Sequence, residues 1–261
     1  MFGHNSTGFG WSKKGGTSFI TEYQEILNRA IALGYTLPSA GQQILQNAYL
    51  LALKSANIWQ ELDVYYVFAN DGSAEFGTLN WKNPNANQAT LISSPTFNAN
   101  QGFTFNGSSS YIDTNFNPST QGVKFTQNNA SRGFHMRTPP SSGVYMDGMS
   151  VAGNRLRYAT GGTTDQQINS TTVISVSAVI GATPARKSIH RVDASNVNVI
   201  DGTTVYAATS TSVTIPNSNL WIGRTQTIYS NPQISDYYAG ANLTALNNTF
   251  NTLFSNYLAA L

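Results

Sequence analysis

The sequence contains no cysteine and few charged residues. Without cysteine, the chain has no disulfide, no thiolate metal site and no thiol nucleophile. Charged residues make up 10% of the 261 residues, against about 25% in an average soluble domain. The 14 basic and 12 acidic residues leave a net charge of +2, which is too small to indicate binding to nucleic acid or to an anionic membrane.

Targeting segments are missing as well. No window approaches about 18 consecutive apolar residues, so no membrane span is expected. Residues Met1–Trp11 show no basic region followed by an apolar core, so no signal peptide is predicted. The lack of cysteine suits assembly in a reducing bacterial cytoplasm, and release by cell lysis needs no export signal. These absences favour localisation in a virion.

Glutamate is scarce, which bears on catalysis. The four glutamates are Glu22, Glu25, Glu61 and Glu75. A retaining glycosidase needs two carboxylates about 5–5.5 Å apart. The remaining candidates for such a pair are scattered aspartates, most of them beside Gly, Ser or Asn as in turns: Asp113, Asp147, Asp165, Asp193, Asp201 and Asp236. The sequence therefore predicts a protein that is not an enzyme.

No metal or cofactor site is predicted. The histidines are His4, His135 and His190, and none has a metal-ligand spacing to another histidine or to an acidic residue. We therefore expect them to lie on the surface or to pack in strands. A calcium ion at the rim of the domain stays an open alternative, with oxygen ligands from Asp113, Asn115 and Asn117, or from Asp147.

The first of three stretches, residues 1–18, combines glycine with aromatic residues. The aromatic residues are Phe2, Phe9 and Trp11. Glycine makes the stretch too flexible to fold alone, while spaced rings can be buried in a groove of a partner. We interpret it as an anchoring arm that attaches the chain to other virion proteins. A frayed terminus is the alternative.

Residues 19–62 predict a helical hairpin. Thr21 is expected to cap the first helix, Gly34 and Pro38 to end it, and Ser39 to cap the second. A hairpin of about forty residues is too small to be stable alone. Its apolar stripe is therefore expected to pack on the rest of the chain, with a partner chain as the alternative.

Residues 63–261 have the pattern of a β-domain. Val64–Ala69 predicts a buried strand, and short alternating segments follow at spacings of about eight to twelve residues, which indicates a sandwich or barrel. Asp201-Gly202 between two strand-like runs predicts a type I′ hairpin turn. The other predicted strands include Leu79–Lys82, Phe103–Phe105, Val144–Met146, Leu156–Tyr158, Val173–Ile180, Ser212–Ile215 and Leu220–Ile222.

The last residues predict one amphipathic helix. Its apolar residues recur at spacings of three and four: Leu243, Leu246, Phe250, Leu253, Phe254, Tyr257 and Leu258. Asparagines occupy most of the opposite face. We expect the apolar stripe to lie against the β-domain.

Three segments carry a resemblance to a known family. Gly102–Thr114 contains an FxGxxxYI-type pattern, Leu220–Arg224 contains LxIG, and Gln233–Gly240 precedes the terminal helix. In this order they resemble the concanavalin A-like (laminin-G-like) jelly-roll family. The resemblance implies an antiparallel jelly-roll β-sandwich, so the predicted fold is mainly β, and the N-terminal helical hairpin and the C-terminal helix are added to the sandwich. Fold alone does not settle function, because the family includes lectins, glycosidases and viral surface proteins.

Exposed tyrosines are the candidates for ligand binding. Their rings can stack on sugar rings while neighbouring Asn and Gln form hydrogen bonds. The candidates are Tyr229, Tyr206, Tyr237 and Tyr238, with Tyr229 first because its surroundings are rich in turn residues. Trp221 stands in a strand-like run, so a packing role is expected for it.

The function predicted from the sequence is attachment without catalysis. Tyr35–Ser39, Leu79–Pro84 and the C-terminal helix together resemble minor virion proteins of phages that infect Bacteroidota. The resemblance implies a spike, fibre head or capsid decoration, a homo-oligomer in which the β-sandwich contacts a host-surface glycan. The alternatives are a secreted or surface carbohydrate-binding module and a polysaccharide-cleaving enzyme.

Overall fold

The computed structural model describes residues 18–141, 145–157, 164–176 and 183–261. The predicted anchoring residues Phe2, Phe9 and Trp11 lie outside these ranges. So do His4 and parts of three predicted strands, namely Val144, Tyr158 and residues 177–180. Within the described ranges, helices stand at both ends of the chain and antiparallel strands lie between them.

The helices and strands are short. The helices are α1 (Thr21–Ala32), α2 (Ala40–Ser55), α3 (Ala74–Gly77), α4 (Pro118–Gln121) and α5 (Asn247–Ala259). The strands are β1 (Leu62–Val67), β2 (Thr90–Ile92), β3 (Thr96–Asn98), β4 (Gly102–Thr104), β5 (Tyr111–Asp113), β6 (Ala130–Thr138), β7 (Tyr145–Gly148), β8 (Arg155–Arg157), β9 (Thr164–Gln166), β10 (Ile174–Val176), β11 (Ala185–Arg191), β12 (Asn196–Asp201), β13 (Thr204–Thr209), β14 (Trp221–Ile222), β15 (Arg224–Thr225), β16 (Ile228–Tyr229) and β17 (Gln233–Gly240). No helix in the described ranges has the length and apolar character needed to cross a bilayer.

The larger sheet is built around β17. Its strands follow the order β13, β12, β11, β6 and β17. The edge of β17 opposite β6 is shared by two strands. Residues 236–240 pair with β1, and Gln233 and Ile234 pair with β4. Strand β3 then pairs with β4. Every strand pair in this sheet is antiparallel.

A smaller sheet and a helical layer cover the two faces of the larger sheet. The smaller sheet has the order β2, β5, β14, β7 and β8. Alternation along β1 shows the layering: Val64 and Tyr66 belong to the core between the sheets, whereas Tyr65 and Val67 belong to the core under the helices. The molecule is therefore a mainly β antiparallel sandwich with helices at its N-terminal and C-terminal ends, as predicted.

The helices pack on the larger sheet, as predicted, although Ile31, Ile44 and Leu51 of the predicted hairpin stripe are exposed. Tyr23 and Leu50 of the hairpin join Phe250, Phe254 and Tyr257 of α5 in one buried cluster on the larger sheet. Ser39 caps α2 by accepting a hydrogen bond from the Gln42 amide at 3.3 Å. The predicted cap at Thr21 is wrong, because Thr21 is already helical and the residue before it is Ile20, which makes no side-chain cap.

Two predicted strands are absent. Leu79–Lys82 is irregular because the Asn80 side chain accepts the Tyr65 amide at 3.1 Å and thereby takes the place of a strand's backbone. Ser212–Ile215 is irregular as well.

The predicted Asp201-Gly202 turn is shifted by one residue. Asp201 pairs with Thr204, so the loop is Gly202-Thr203, with φ of +62° at Gly202 as a type II′ turn requires at its first position.

Candidate functional site

The outer face of the smaller sheet carries a group of half-buried aromatic side chains. In the pairing of β5 with β14, Ile112 lies opposite Ile222 and both are fully buried. Trp221 lies opposite Asp113, on the other face. Because side chains alternate along a strand, Trp221 must point away from the core when Leu220 and Ile222 point into it. The predicted packing role of Trp221 is therefore wrong, since the ring is only half-buried.

Gly223 folds the chain back over this face. Its φ is +81°, and an added Cβ would lie 2.8 Å from the ring of Phe105, so a side chain is excluded here on both grounds. The turn leads into β15, where Arg224 pairs with Tyr229 of β16. Arg224 and Tyr229 are thereby brought beside Trp221.

Arg224 lies among three aromatic rings. Its guanidinium carbon is 4.4 Å from the ring centre of Trp221, 4.7 Å from that of Tyr229 and 4.8 Å from that of Tyr111. Such distances are typical of cation–π contacts. We call Tyr111, Trp221, Arg224 and Tyr229 the outer aromatic patch. All four side chains are half-buried.

Hydrogen bonds fix the outer aromatic patch. Trp221 donates from Nε1 to Oδ2 of Asp113 at 3.1 Å, and Asn219 donates to the other oxygen of Asp113 at 3.0 Å. Arg224 donates from Nε to the Gln226 carbonyl at 2.8 Å. The ring centres of Tyr111 and Trp221 lie 5.3 Å apart. The patch is therefore ordered before any ligand arrives, which lowers the entropic cost of binding.

A polar cleft lies along β2. Its volume is about 460 Å³, which lies within the range of about 300–1,000 Å³ that is typical of small-ligand sites. The lining residues are Glu75, Thr78, Gln88, Ala89, Thr90 and Leu91. Thr90 pairs with Asp113, the residue that binds Trp221, so only one strand separates the cleft from Trp221. We call it the β2 cleft. Its amide, hydroxyl and carboxylate groups suit the hydroxyl groups of a sugar.

The predicted tyrosines fall in different places. Tyr229 belongs to the outer aromatic patch, while Tyr206 is half-buried on β13 at the edge of the other sheet. Tyr237 and Tyr238 are fully buried, so neither ring can reach a ligand. Tyr237 donates to Asp147 at 3.2 Å, and the Tyr238 hydroxyl lies 3.0 Å from Nε2 of His190. The prediction for these two is corrected because β17 is a central strand covered on both faces.

Two predicted turn aspartates are buried ion-pair partners instead. Asp147 binds Arg132 through Nε at 2.7 Å and Nη2 at 3.1 Å, between the sheets. Asp236 binds Nη2 of Arg186 at 2.6 Å, under the helices. All four side chains are fully buried. Burial raises the pKa of Asp236, and the adjacent Arg186 opposes this shift.

The candidate metal ligands are engaged by the protein. The Asp113 carboxylate accepts hydrogen bonds from the Asn115 amide, Asn219 and Trp221, and Asp147 is in its ion pair. Across the described ranges, no group of three or more His, Cys, Asp or Glu side chains is placed to hold a metal ion. His135 and His190 are buried, and burial beside Arg186 lowers the pKa of each to about 3.

Comparison with known proteins shows the fold. No protein-family model matches the chain, and no curated protein does. Among solved structures, HCR/D with a tryptophan-to-alanine mutation is 8% identical, with a TM-score of 0.52 over 77% of this chain and 53% of that one. A Trypanosoma rangeli sialidase is 9% identical, with a TM-score of 0.50 over 82% of this chain and 39% of that one. The likeness concerns the β-sandwich alone.

Another match covers nearly the whole of a small domain. Domain 4 of AbnA, a GH43 extracellular arabinanase from Geobacillus stearothermophilus crystallised with arabinotriose, is 12% identical, with a TM-score of 0.41 over 73% of this chain and 98% of that one. By contrast, this chain spans about half of HCR/D and less than half of the sialidase.

Strand alternation could have revealed part of the outer aromatic patch. Ile112 and Ile222 are apolar residues flanked by Tyr111 and Trp221, and period two places these rings on the opposite face. Arg224 carries no such signal. Its position depends on the reversal at Gly223, which brings β15 back beside residues far away in sequence.

Proposed function

We propose that this chain is a carbohydrate-binding module whose ligand lies on the outer aromatic patch and extends toward the β2 cleft. The observation that carries the proposal is the set of half-buried rings of Tyr111, Trp221 and Tyr229, which lie together on the outer face of the smaller sheet. The apolar face of a sugar stacks on such rings, and its hydroxyl groups bond to nearby amides and hydroxyls.

We propose further that the module binds without cleaving. The glutamates lie outside the strands: Glu22 and Glu25 in α1, Glu61 in a 3₁₀ turn and Glu75 in α3. The buried carboxylates Asp147 and Asp236 are neutralised by arginines, on opposite sides of the larger sheet. A pair of carboxylates about 5–5.5 Å apart on either side of a sugar is what retaining hydrolysis would require.

The test is a comparison of two aromatic substitutions. Binding of the purified chain to a panel of neutral and acidic polysaccharides is measured by calorimetry, first for the natural sequence. Trp221→Ala should weaken binding by about 1–3 kcal/mol, as expected for the loss of a central contact residue. Tyr206→Ala is the matched control, because Tyr206 is also a half-buried aromatic residue but lies on the edge strand of the other sheet.

Three outcomes would count against this proposal. Equal loss of affinity in Trp221→Ala and Tyr206→Ala would place the ligand elsewhere or indicate general damage. Absence of binding to every saccharide in the panel would remove the module function. Release of reducing sugar during incubation would overturn the non-catalytic part while leaving the binding surface in place.

Attachment to a host surface as part of a virion is the biological setting that the sequence favours. This setting stays a prediction, as does a homo-oligomer anchored through residues 1–18. Deletion of residues 1–18 should leave a folded β-domain that no longer enters particles, if Phe2, Phe9 and Trp11 bind another virion protein. Normal incorporation of the shortened chain would contradict the anchoring role.

A further inference from the structure

Arg224 is a fixed cation with no anionic partner among the residues that the structure describes. The rings of Tyr111, Trp221 and Tyr229 contact its guanidinium, and Nε is used by the Gln226 carbonyl. Within the described ranges, its terminal nitrogens Nη1 and Nη2 take part in no ion pair or hydrogen bond. The side chain is therefore held in one place with its strongest donors unused.

Buried arginines show two kinds of partner for such donors: Arg191 binds the carbonyls of Ile168 and Ser210, whereas two others bind carboxylates. Arg132 binds the Asp147 carboxylate through two nitrogens, and Arg186 binds Asp236. Asp113, which accepts a hydrogen bond from Trp221 of the patch, directs its oxygens to Trp221 and Asn219, and no ion pair joins it to Arg224 within the described ranges. The outer aromatic patch thus has the cation but lacks the carboxylate.

We infer that the saccharide bound at the outer aromatic patch is acidic, with a sugar carboxylate that accepts hydrogen bonds from Nη1 and Nη2 of Arg224. This inference rests on the proposed function of the patch. A planar carboxylate matches the fork of a guanidinium, and such charge-assisted pairs are stronger than neutral hydrogen bonds. The sugar ring attached to the carboxylate would then lie beside Trp221 and Tyr229, whose faces are apolar.

The donors of Arg224 also discriminate between acidic and neutral sugars. A neutral sugar would stack on the same rings but offer the donors of Arg224 only uncharged hydroxyl oxygens in place of water. Because the patch is half-buried, partial removal of that water would cost free energy that only an acceptor on the ligand can offset. The carboxylate therefore adds selectivity to a surface whose stacking is tolerant of sugar type.

The experiment compares oligogalacturonate with its methyl ester, which has the same skeleton but no charge. The natural chain should bind the acid about 10- to 100-fold more tightly than the ester, the range for hydrogen bonds to a charged group. Arg224→Gln should remove this difference, while Arg224→Lys should keep part of it. Affinity for the acid should fall as salt is raised, and affinity for the ester should not.

Arg137→Gln is the matched control, because Arg137 also lies at a strand and forms no ion pair in the described ranges. It should leave the preference for the acid unchanged. Equal affinity for acid and ester in the natural chain, or equal loss of both in Arg224→Gln, would overturn the inference and leave the proposed function intact. Binding of neither acid, ester nor any other saccharide would overturn both.

Discussion

Two clusters in this protein place an arginine among aromatic rings, and they differ in burial. Under the helices, Arg186 has its guanidinium carbon 3.7 Å from the ring centre of Phe250 and 5.4 Å from that of Phe254. On the outer face of the smaller sheet, Arg224 lies 4.4 Å from the ring centre of Trp221. The inner arginine is paired with Asp236, whereas the outer one forms no ion pair in the described ranges.

The difference follows from the cost of burying a charge. A cation removed from water needs a counter-charge close by. Asp236 provides it, and the Asp236 carboxylate also accepts hydrogen bonds from the Tyr65 hydroxyl and the His135 amide. A half-buried cation keeps part of its hydration, so the protein can leave it without a partner. The same combination of side chains therefore stabilises the fold in one place and can bind a ligand in the other.

Removal of Asp236 should have the largest effect on the inner cluster. Asp236→Ala leaves Arg186 buried without its counter-charge, so the free energy of unfolding should fall by about 3–5 kcal/mol. Chemical denaturation at neutral pH measures the change. Glu25→Ala, at an exposed site on α1, is the control and should change stability little. A loss below about 1 kcal/mol for Asp236→Ala would show that water or another anion replaces the carboxylate.

Phe254 tests the apolar part of the same cluster. It is fully buried, and its ring centre lies 5.7 Å from that of Tyr49 and 5.3 Å from that of His135. Phe254→Ala should lower the free energy of unfolding by about 3–5 kcal/mol through lost burial and the cavity left behind. An unchanged melting temperature would mean that the helical layer is not coupled to the sandwich.

Acid should destabilise the inner cluster. Burial holds the pKa of His135 and His190 near 3 in the folded protein, below the ordinary value of 6.5. As pH falls below about 6.5, the unfolded chain takes up protons that the folded chain does not. The contribution of the two neutral imidazoles to the free energy of unfolding is therefore fully present above that pH. It is lost toward pH 3, by roughly 1.4 kcal/mol per pH unit for each imidazole.

The acid effect can be assigned to single residues. His190→Gln removes one titrating group and should reduce the dependence of stability on pH by about half between pH 6 and 4. His135→Gln should do the same for the other imidazole. Denaturation curves at several pH values give these slopes. Identical slopes in the natural chain and in both variants would assign the acid sensitivity to carboxylates instead.

The sequence indicates the apolar parts of both clusters better than their charged parts. Strand alternation and the helical stripe that includes Phe254 follow from local periodicity, which a sequence displays directly. The partners of Asp147 and Asp236 lie 15 and 50 residues away along the chain. Such pairing depends on strand order, which the sequence does not display. Residues next to these aspartates in the sequence, such as Gly148, indicate a turn instead. For the same reason, the position of Arg224 becomes visible only after the chain has reversed at Gly223.

Tyr229 should give the smallest effect on stability and a clear effect on binding. Its ring is half-buried, 6.1 Å from the centre of Tyr111 and beside Arg224. Tyr229→Ala should change the free energy of unfolding by about 0.5 kcal/mol or less, as is usual for surface substitutions. The same change should weaken saccharide binding by about 1–3 kcal/mol if the ring stacks on the ligand.

The net charge of +2 sharpens the test of Tyr229. With so few charges, binding of a neutral saccharide should depend weakly on salt, in the natural chain and in Tyr229→Ala alike. Calorimetry at low and high salt therefore separates stacking, which both conditions preserve, from the charge of Arg224, which salt screens. If Tyr229→Ala lowered stability as much as Phe254→Ala does, the outer cluster would be part of the core, and the contrast between the two clusters would not hold.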